Sequence, residues 1–231
     1  MRGLALLLLL IATPAQTNEP IRVAVAANFK PTLEIISTRF EASTGQRVTL
    51  SSASTGVLYS QILYGAPFHL LFAADSNAPA QLTAAGITES SPFCYALGRL
   101  VLAGGNGNLA ELANSQSSLA IANPVTAPYG NAAMQVLARE EFAAGNTRKL
   151  VRGNNVVQAY QFWHSGAVKL ALLPRSLLPD SGTLIPRDWH LPLEQHAVVL
   201  KRNAAVDAYL NWVRSDTVRS LITDAGYESC P

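Results

Sequence analysis

The chain has 231 residues and a formal net charge of +2 at pH 7, with 17 Lys and Arg residues against 15 Asp and Glu residues. No block of Lys or Arg stands out, which argues against a nucleic-acid-binding face or a polybasic membrane patch. The length allows one large domain or two smaller lobes, and either would bury a sizeable core. Function must therefore be sought in local motifs rather than in overall charge.

The first 15 residues have the pattern of a secretory signal peptide. Arg2 gives a positive start, an apolar run covers residues 4–12, and small residues up to Ala15 suit cleavage just after that position. The alternative is an uncleaved anchor, but the run is about half of the roughly 20 residues that a spanning helix needs. The sequence therefore predicts an exported, soluble mature protein.

The two cysteines, Cys94 and Cys230, are far apart and fit neither a zinc-ligand nor a CxxC redox spacing. In an oxidising compartment we expect them to pair, which would tie the C-terminal tail to the middle of the chain. The alternative is two separate buried thiols.

Strand-like and helix-like segments alternate along the chain, an order that predicts parallel sheet wrapped by helices. The first series has strands at 21–27, 47–50 and 69–75 and helices at 31–44, 55–64 and 78–85. The second has a long apolar strand within 95–103, strands at 119–122, 149–152, 168–173 and 196–200, and helices at 128–142, 156–164, 204–214 and 217–225.

Four of these strands lead into a helix through small polar residues. The junctions lie at residues 28–31, 51–56, 123–130 and 153–156. Free N–H groups and the helix dipole at such a junction favour a bound anion. Each junction alone is an ordinary helix cap. Together, at the carboxyl ends of parallel strands, they predict a shared anion site built from neutral donors.

Other chemistry finds little support in the sequence. The four histidines show no HxxxH spacing, and neither a GxSxG elbow nor a P-loop occurs. Asp75 at a strand end is more simply a helix cap than a catalytic acid. A different class of function is a secreted α/β hydrolase with Ser54 or Thr55 as nucleophile, although no base or orienting acid accompanies either residue.

At the junctions the chain resembles the periplasmic molybdate-binding proteins of ABC importers. The similar residues are 25–29, 52–56, Gly65-Ala66-Pro67-Phe68 before the strand at 71–75, then 122–124, 127–130, 155–156 and 224–227. This set covers most of the mature chain and keeps the order of the motifs.

The resemblance implies an α/β, two-lobed type II periplasmic binding fold, each lobe a mostly parallel sheet flanked by helices. One lobe would comprise residues 20–97 and 200–231, and the other residues 98–199. By position, Asn28 and Thr55, with Ser54 as neighbour, would bind the ligand through side chains. Tyr129 and Val156 would bind it through backbone N–H groups. The sequence departs from the family pattern at two positions. Many relatives have serine in place of Asn28, and some have a tyrosine, whose hydroxyl can donate, in place of Leu173.

The resemblance further implies a binding protein and not an enzyme. It would need no cofactor and no direct cation ligand, and as a periplasmic monomer it would pass molybdate or tungstate to an ABC permease in the inner membrane. Donors without an acceptor suit a fully deprotonated oxyanion better than hydrogen phosphate, which brings a proton of its own. Sulfate is also a dianion, so only cavity size would exclude it.

Overall fold

A computed structural model describes residues 19–230, so the predicted signal peptide lies outside the described residues. The first part of the described chain alternates strand and helix in the predicted order. Its elements are β1 (Ile21–Ala26), α1 (Lys30–Thr44), β2 (Val48–Ala53), α2 (Thr55–Leu63), β3 (Leu70–Phe72) and α3 (Asn77–Ala84).

The rest of the described chain adds seven strands and four α-helices. They are β4 (Phe93–Gly98), β5 (Leu100–Ala103), β6 (Leu119–Ala122), α4 (Pro128–Leu137), β7 (Leu150–Gly153), α5 (Val156–His164), β8 (Leu170–Pro174), β9 (Thr183–Leu184), β10 (Leu193–Val199), α6 (Ala204–Val213) and α7 (Asp216–Asp224). The predicted helix at 128–142 ends at Leu137, and a 3-10 helix, Glu140–Gly145, follows it.

Two five-stranded sheets each organise one lobe. The strand order is β2-β1-β3-β10-β4 in the first and β7-β6-β8-β5-β9 in the second. Both sheets are mixed: β1 pairs in parallel with β2 and β3, and β6 with β7 and β8, whereas the remaining pairs are antiparallel. The parallel half of each sheet therefore carries the strand-to-helix junctions.

The chain crosses between the lobes at two places. The apolar segment at 95–103 is not one strand, because β4 belongs to the first sheet and β5, one residue later, to the second. The return crossing precedes β10, which pairs with β3 and β4. The predicted second lobe, residues 98–199, is therefore too long, since its last strand lies in the first sheet.

The turn that carries Asn28 is fixed by an aromatic cluster. Phe29 is fully buried, and its ring centroid lies 4.5 Å from that of Tyr95 and 5.5 Å from that of Tyr227. Pro31 lies in the first turn of α1, where its missing N–H costs nothing. Gly45 ends that helix with φ of 71°, a conformation that glycine adopts without strain.

The C-terminal tail is bound to the first sheet and to both crossings. Cys94 in β4 and Cys230 form a disulfide, so they are not two separate thiols. The Glu228 carboxylate accepts a hydrogen bond from Arg99, at the first crossing, over 2.7 Å. It also forms a salt bridge of 2.8 Å with Arg187, which precedes the second crossing. Within residues 19–230, no helix has the length and apolar character needed to cross a membrane.

Candidate functional site

The four junctions meet around one small cavity between the lobes. β1 and β2 end there from the first sheet, and β6 and β7 from the second. The structure brings all five sequence-predicted site residues together. The lining consists of Asn28, Ser54, Thr55, Tyr129 and Val156 with Ala26, Ala27, Ala74, Ala127, Pro128 and Asn155. This lining includes polar groups but no Asp, Glu, Lys or Arg, so the cavity offers hydrogen-bonding groups without a charged side chain.

Ser54 and Thr55 supply hydroxyl groups to the cavity. Ser54 precedes α2 and is 4% exposed, yet its Oγ has no hydrogen-bond partner among the described residues. A buried hydroxyl without a partner is costly, so a ligand that accepts its hydrogen removes that cost. The Thr55 Oγ1 accepts the backbone N–H of Ala74 over 2.9 Å, which leaves its own hydrogen free to donate.

Three helices begin at the cavity and point their first N–H groups toward it. Thr55, Tyr129 and Val156 are the first or second residues of α2, α4 and α5. Within residues 19–230, no group accepts a hydrogen bond from these three backbone N–H groups. At the start of α5, the Asn155 side chain accepts hydrogen bonds from the backbone N–H groups of Val157 and Gln158 but not from that of Val156. The arrangement therefore concentrates free donors and three positive dipole ends on one point.

Asn28 lines the cavity, but its side chain is used differently from the prediction. Its Nδ2 donates to Gln195 Oε1 over 2.8 Å and to Tyr227 Oη over 3.1 Å, so both amide hydrogens are taken within the protein. The backbone N–H of Asn28 has no partner among the described residues. The structure thus favours the backbone of Asn28 as a donor to the cavity, with the side chain holding the turn in place.

Gln195, which lies behind the cavity, is not among the predicted site residues. Gln195 is fully buried in β10, and its Nε2 donates to Tyr129 Oη over 3.1 Å. The alternation of side chains along β10 is the signal that could have identified Gln195 as buried. Gln195 lies on the same side of the strand as the buried Leu193 and Ala197. The predicted strand began one residue too late to include it.

The buried phenols around Gln195 remain neutral. Burial raises the pKa of Tyr95 and Tyr129 well above the ordinary value for tyrosine, and burial also raises the pKa of Tyr227. Each hydroxyl therefore keeps its proton at physiological pH. These phenols therefore add no negative charge behind the cavity.

The described residues at this site form neither a catalytic group of side chains nor a cation-binding one. Ser54 Oγ has no hydrogen bond to a base in the described chain, and Asp75 accepts the Ala78 N–H over 2.8 Å in a capping contact. Burial raises the pKa of Asp75. Within residues 19–230, no three His, Cys, Asp or Glu side chains form a potential metal-binding group.

The two lobes touch directly beside the cavity. The Gly56 N–H in α2 donates to the Thr126 carbonyl oxygen, which lies on the loop before α4, over 2.8 Å. This bond joins the first lobe to the second, so the structure represents a closed arrangement of the cleft.

Comparison with known proteins assigns the chain to a family. The family model described as bacterial extracellular solute-binding protein matches residues 21–228. The chain belongs to this family. The molybdate-binding protein ModA of Azotobacter vinelandii is 38% identical over 94% of this chain and 93% of its own length. The protein of the same name from Rhodobacter capsulatus is 34% identical over 94% and 91%.

A solved structure extends the comparison to this solute-binding protein's fold. The periplasmic molybdate-binding protein of Azotobacter vinelandii aligns with a TM-score of 0.83 and 31% identity, covering 91% of this chain and all of that one. The predicted α/β fold of two lobes, each a sheet flanked by helices, is confirmed. The cavity of this solute-binding protein lies between those lobes.

Proposed function

We propose that this solute-binding protein captures a tetrahedral oxyanion, molybdate first, in the cavity between its lobes. The observation that carries the proposal is the buried Ser54 hydroxyl, which has no partner among residues 19–230 and lies beside the N–H groups of Tyr129 and Val156, which have none there either. These groups need an acceptor, and a compact oxyanion offers several acceptor oxygens at once. Hydrogen bonds to a charged acceptor are stronger than neutral ones.

The donor set favours a dianion without a bound proton. The lining residues supply two hydroxyls and several backbone N–H groups, and no carboxylate lines the cavity to accept a ligand proton. A protonated oxyanion such as hydrogen phosphate brings a donor that only a lining hydroxyl oxygen could accept, and it has one acceptor oxygen fewer for the N–H groups, which costs binding energy. Molybdate, tungstate and sulfate lack that proton and differ mainly in size.

Molybdate is placed first because the relatives from Azotobacter vinelandii and Rhodobacter capsulatus are named molybdate-binding proteins and cover more than nine-tenths of this chain. Tungstate is the nearest alternative, since it shares the charge and tetrahedral shape of molybdate. Sulfate is smaller and would reach fewer of the donors at once.

The cellular role follows from the family and the N-terminus. A signal peptide at residues 1–15 would export the chain to the periplasm, where a monomer would deliver its anion to an ABC permease in the inner membrane. We propose no cofactor and no catalytic step for the binding cycle. Mass spectrometry of the exported protein should give a mature chain that begins just after Ala15.

Calorimetric titration with molybdate, tungstate, sulfate and phosphate tests the proposal. At pH 8 we expect tight one-to-one binding of molybdate and tungstate, weaker binding of sulfate and the weakest binding of phosphate. Binding of none of the four would contradict the proposal. Turnover of generic ester or phosphate substrates, abolished by Ser54→Ala, would support the hydrolase alternative instead.

A further inference from the structure

Gln195 is a fully buried polar side chain at the centre of a hydrogen-bond chain behind the cavity. Its Oε1 accepts from Asn28 Nδ2 over 2.8 Å and from Tyr95 Oη over 3.0 Å, and its Nε2 donates to Tyr129 Oη over 3.1 Å. One amide therefore holds three other side chains.

The side chains held by Gln195 come from both lobes. Asn28 follows β1 of the first sheet, whereas Tyr129 is the second residue of α4, which follows β6 of the second sheet. Both residues also line the cavity and present free backbone N–H groups there. Gln195 thus links a donor-bearing segment of one lobe to a donor-bearing helix of the other.

Gly98 makes room for this link. A methyl group at Gly98 would lie 2.1 Å from Tyr129 Oη and 2.7 Å from Gln195 Nε2, closer than real contacts allow. Gly98 ends β4 immediately before the first crossing. The hydrogen bond between Gln195 and Tyr129 therefore requires glycine at position 98, where the lobes connect.

We propose that Gln195 is a positioning residue of the anion site. By holding Asn28 and Tyr129 together it sets the spacing between the donors of the two lobes, and this spacing selects the anion by size. This inference rests on the proposed function. It assigns anion selectivity to a residue that does not line the cavity.

Two substitutions separate this role from ordinary packing. Gln195→Met keeps the length of the side chain but removes its amide. Gln195→Glu keeps the shape, and its carboxyl group has one donor and one acceptor only while protonated. Burial raises the pKa of a carboxyl group, so lowering the pH should restore the missing donor. Gln46 is a matched control, because it is also buried and its Nε2 donates to the carbonyl oxygens of Glu19 and Arg47, far from the cavity.

Calorimetry of the purified variants with molybdate and sulfate at pH 8 and pH 6 gives the readout. We expect Gln195→Met to bind molybdate at least tenfold more weakly at both pH values and to discriminate less against sulfate. The molybdate affinity of Gln195→Glu should fall more than tenfold at pH 8, and most of that affinity should return at pH 6. Gln46→Met and Gln46→Glu should bind like the unchanged protein.

Tyr129→Phe provides a second route to the same question, since it removes only the hydroxyl that Gln195 holds. We expect it to narrow the preference for molybdate over sulfate severalfold. An unchanged molybdate-to-sulfate ratio in both Gln195→Met and Tyr129→Phe would overturn the inference, as would a pH-independent loss in Gln195→Glu. Failure of the unchanged protein to bind any oxyanion would instead overturn the proposed function.

Discussion

The backbone N–H of Gly56 donates to the carbonyl oxygen of Thr126 over 2.8 Å, and this hydrogen bond joins the first lobe to the second beside the cavity. A methyl group at Gly56 would approach the Cα and carbonyl oxygen of Thr126 to 3.1 Å. Both are backbone atoms that cannot turn aside. The closed arrangement of the lobes therefore leaves little room for a side chain at Gly56.

We predict that Gly56→Ala impairs closure. The lobes would have to separate by a few tenths of an ångström at this contact, so molybdate binding should weaken severalfold. Small-angle scattering should show a smaller ligand-induced decrease in radius of gyration than in the unchanged protein. Val57→Ala, at the exposed neighbouring residue, is the control and should close normally. Full closure of Gly56→Ala would contradict this reading of the contact.

Ser54→Ala should separate binding from stability. The Ser54 hydroxyl has no partner in the described chain, so its removal should leave the thermal stability of the ligand-free protein unchanged or slightly higher. Loss of a donor to a charged group costs about 1.5 to 3 kcal/mol, which weakens molybdate binding about tenfold to a hundredfold. Calorimetry and thermal unfolding of the same variant measure both effects.

Ser37→Ala is the reciprocal control for Ser54→Ala. Ser37 is also buried, but its Oγ lies 2.7 Å from Tyr209 Oη in a hydrogen bond remote from the cavity. Its removal should lower the melting temperature and leave the molybdate affinity unchanged. The donor assignment of Ser54 would be wrong if Ser54→Ala lost stability without losing affinity.

The disulfide between Cys94 and Cys230 should contribute strongly to stability. The two residues are 136 positions apart, and loop-entropy estimates for so long a loop give about 4 to 5 kcal/mol. Thiol labelling of the unfolded, unreduced protein should find no free thiol, and Cys94→Ser with Cys230→Ser should unfold at a much lower denaturant concentration. Two reactive thiols in the unreduced protein would refute the bridge.

Stability should fall steeply in alkali. Burial raises the pKa of Tyr95, Tyr129, Tyr209 and Tyr227 in the folded state. Above about pH 10 the unfolded state loses phenolic protons that the folded state retains. The unfolding free energy should therefore decrease with rising pH, by on the order of 1 kcal/mol per pH unit for each such tyrosine.

Denaturant unfolding between pH 8 and pH 11 measures this slope. Tyr209→Phe removes one of the four phenols at a position away from the cavity and should make the slope shallower. An identical slope in Tyr209→Phe would show that the buried Tyr209 phenol does not contribute to the alkaline loss.

Much of the cavity could be predicted because its donors follow a local rule. A helix that begins after a buried strand leaves free N–H groups, and the residues at such junctions included Ser54, Thr55, Tyr129 and Val156. The signal is readable within a few residues of sequence. Parallel strands then bring their carboxyl ends to one edge without further information.

The role of Asn28 and the two crossings could not be predicted in the same way. The side-chain amide of Asn28 donates hydrogen bonds to Gln195 and Tyr227, which lie 167 and 199 positions away in the chain. The crossing at Arg99 lies within a run of apolar residues, and hydrophobicity does not record which sheet a strand joins. Both features depend on tertiary pairing rather than on local pattern.

The central claim is that the cavity binds a tetrahedral oxyanion through neutral donors of both lobes. A crystal structure of the protein with molybdate, phased to show the anomalous signal of molybdenum, tests it most directly. We predict one strong peak in the cavity, with anion oxygens within hydrogen-bond distance of Ser54 Oγ, Thr55 Oγ1 and the backbone N–H groups of Tyr129 and Val156. A peak outside the cavity, or a molybdate whose oxygens contact a charged side chain instead of these donors, would contradict the account.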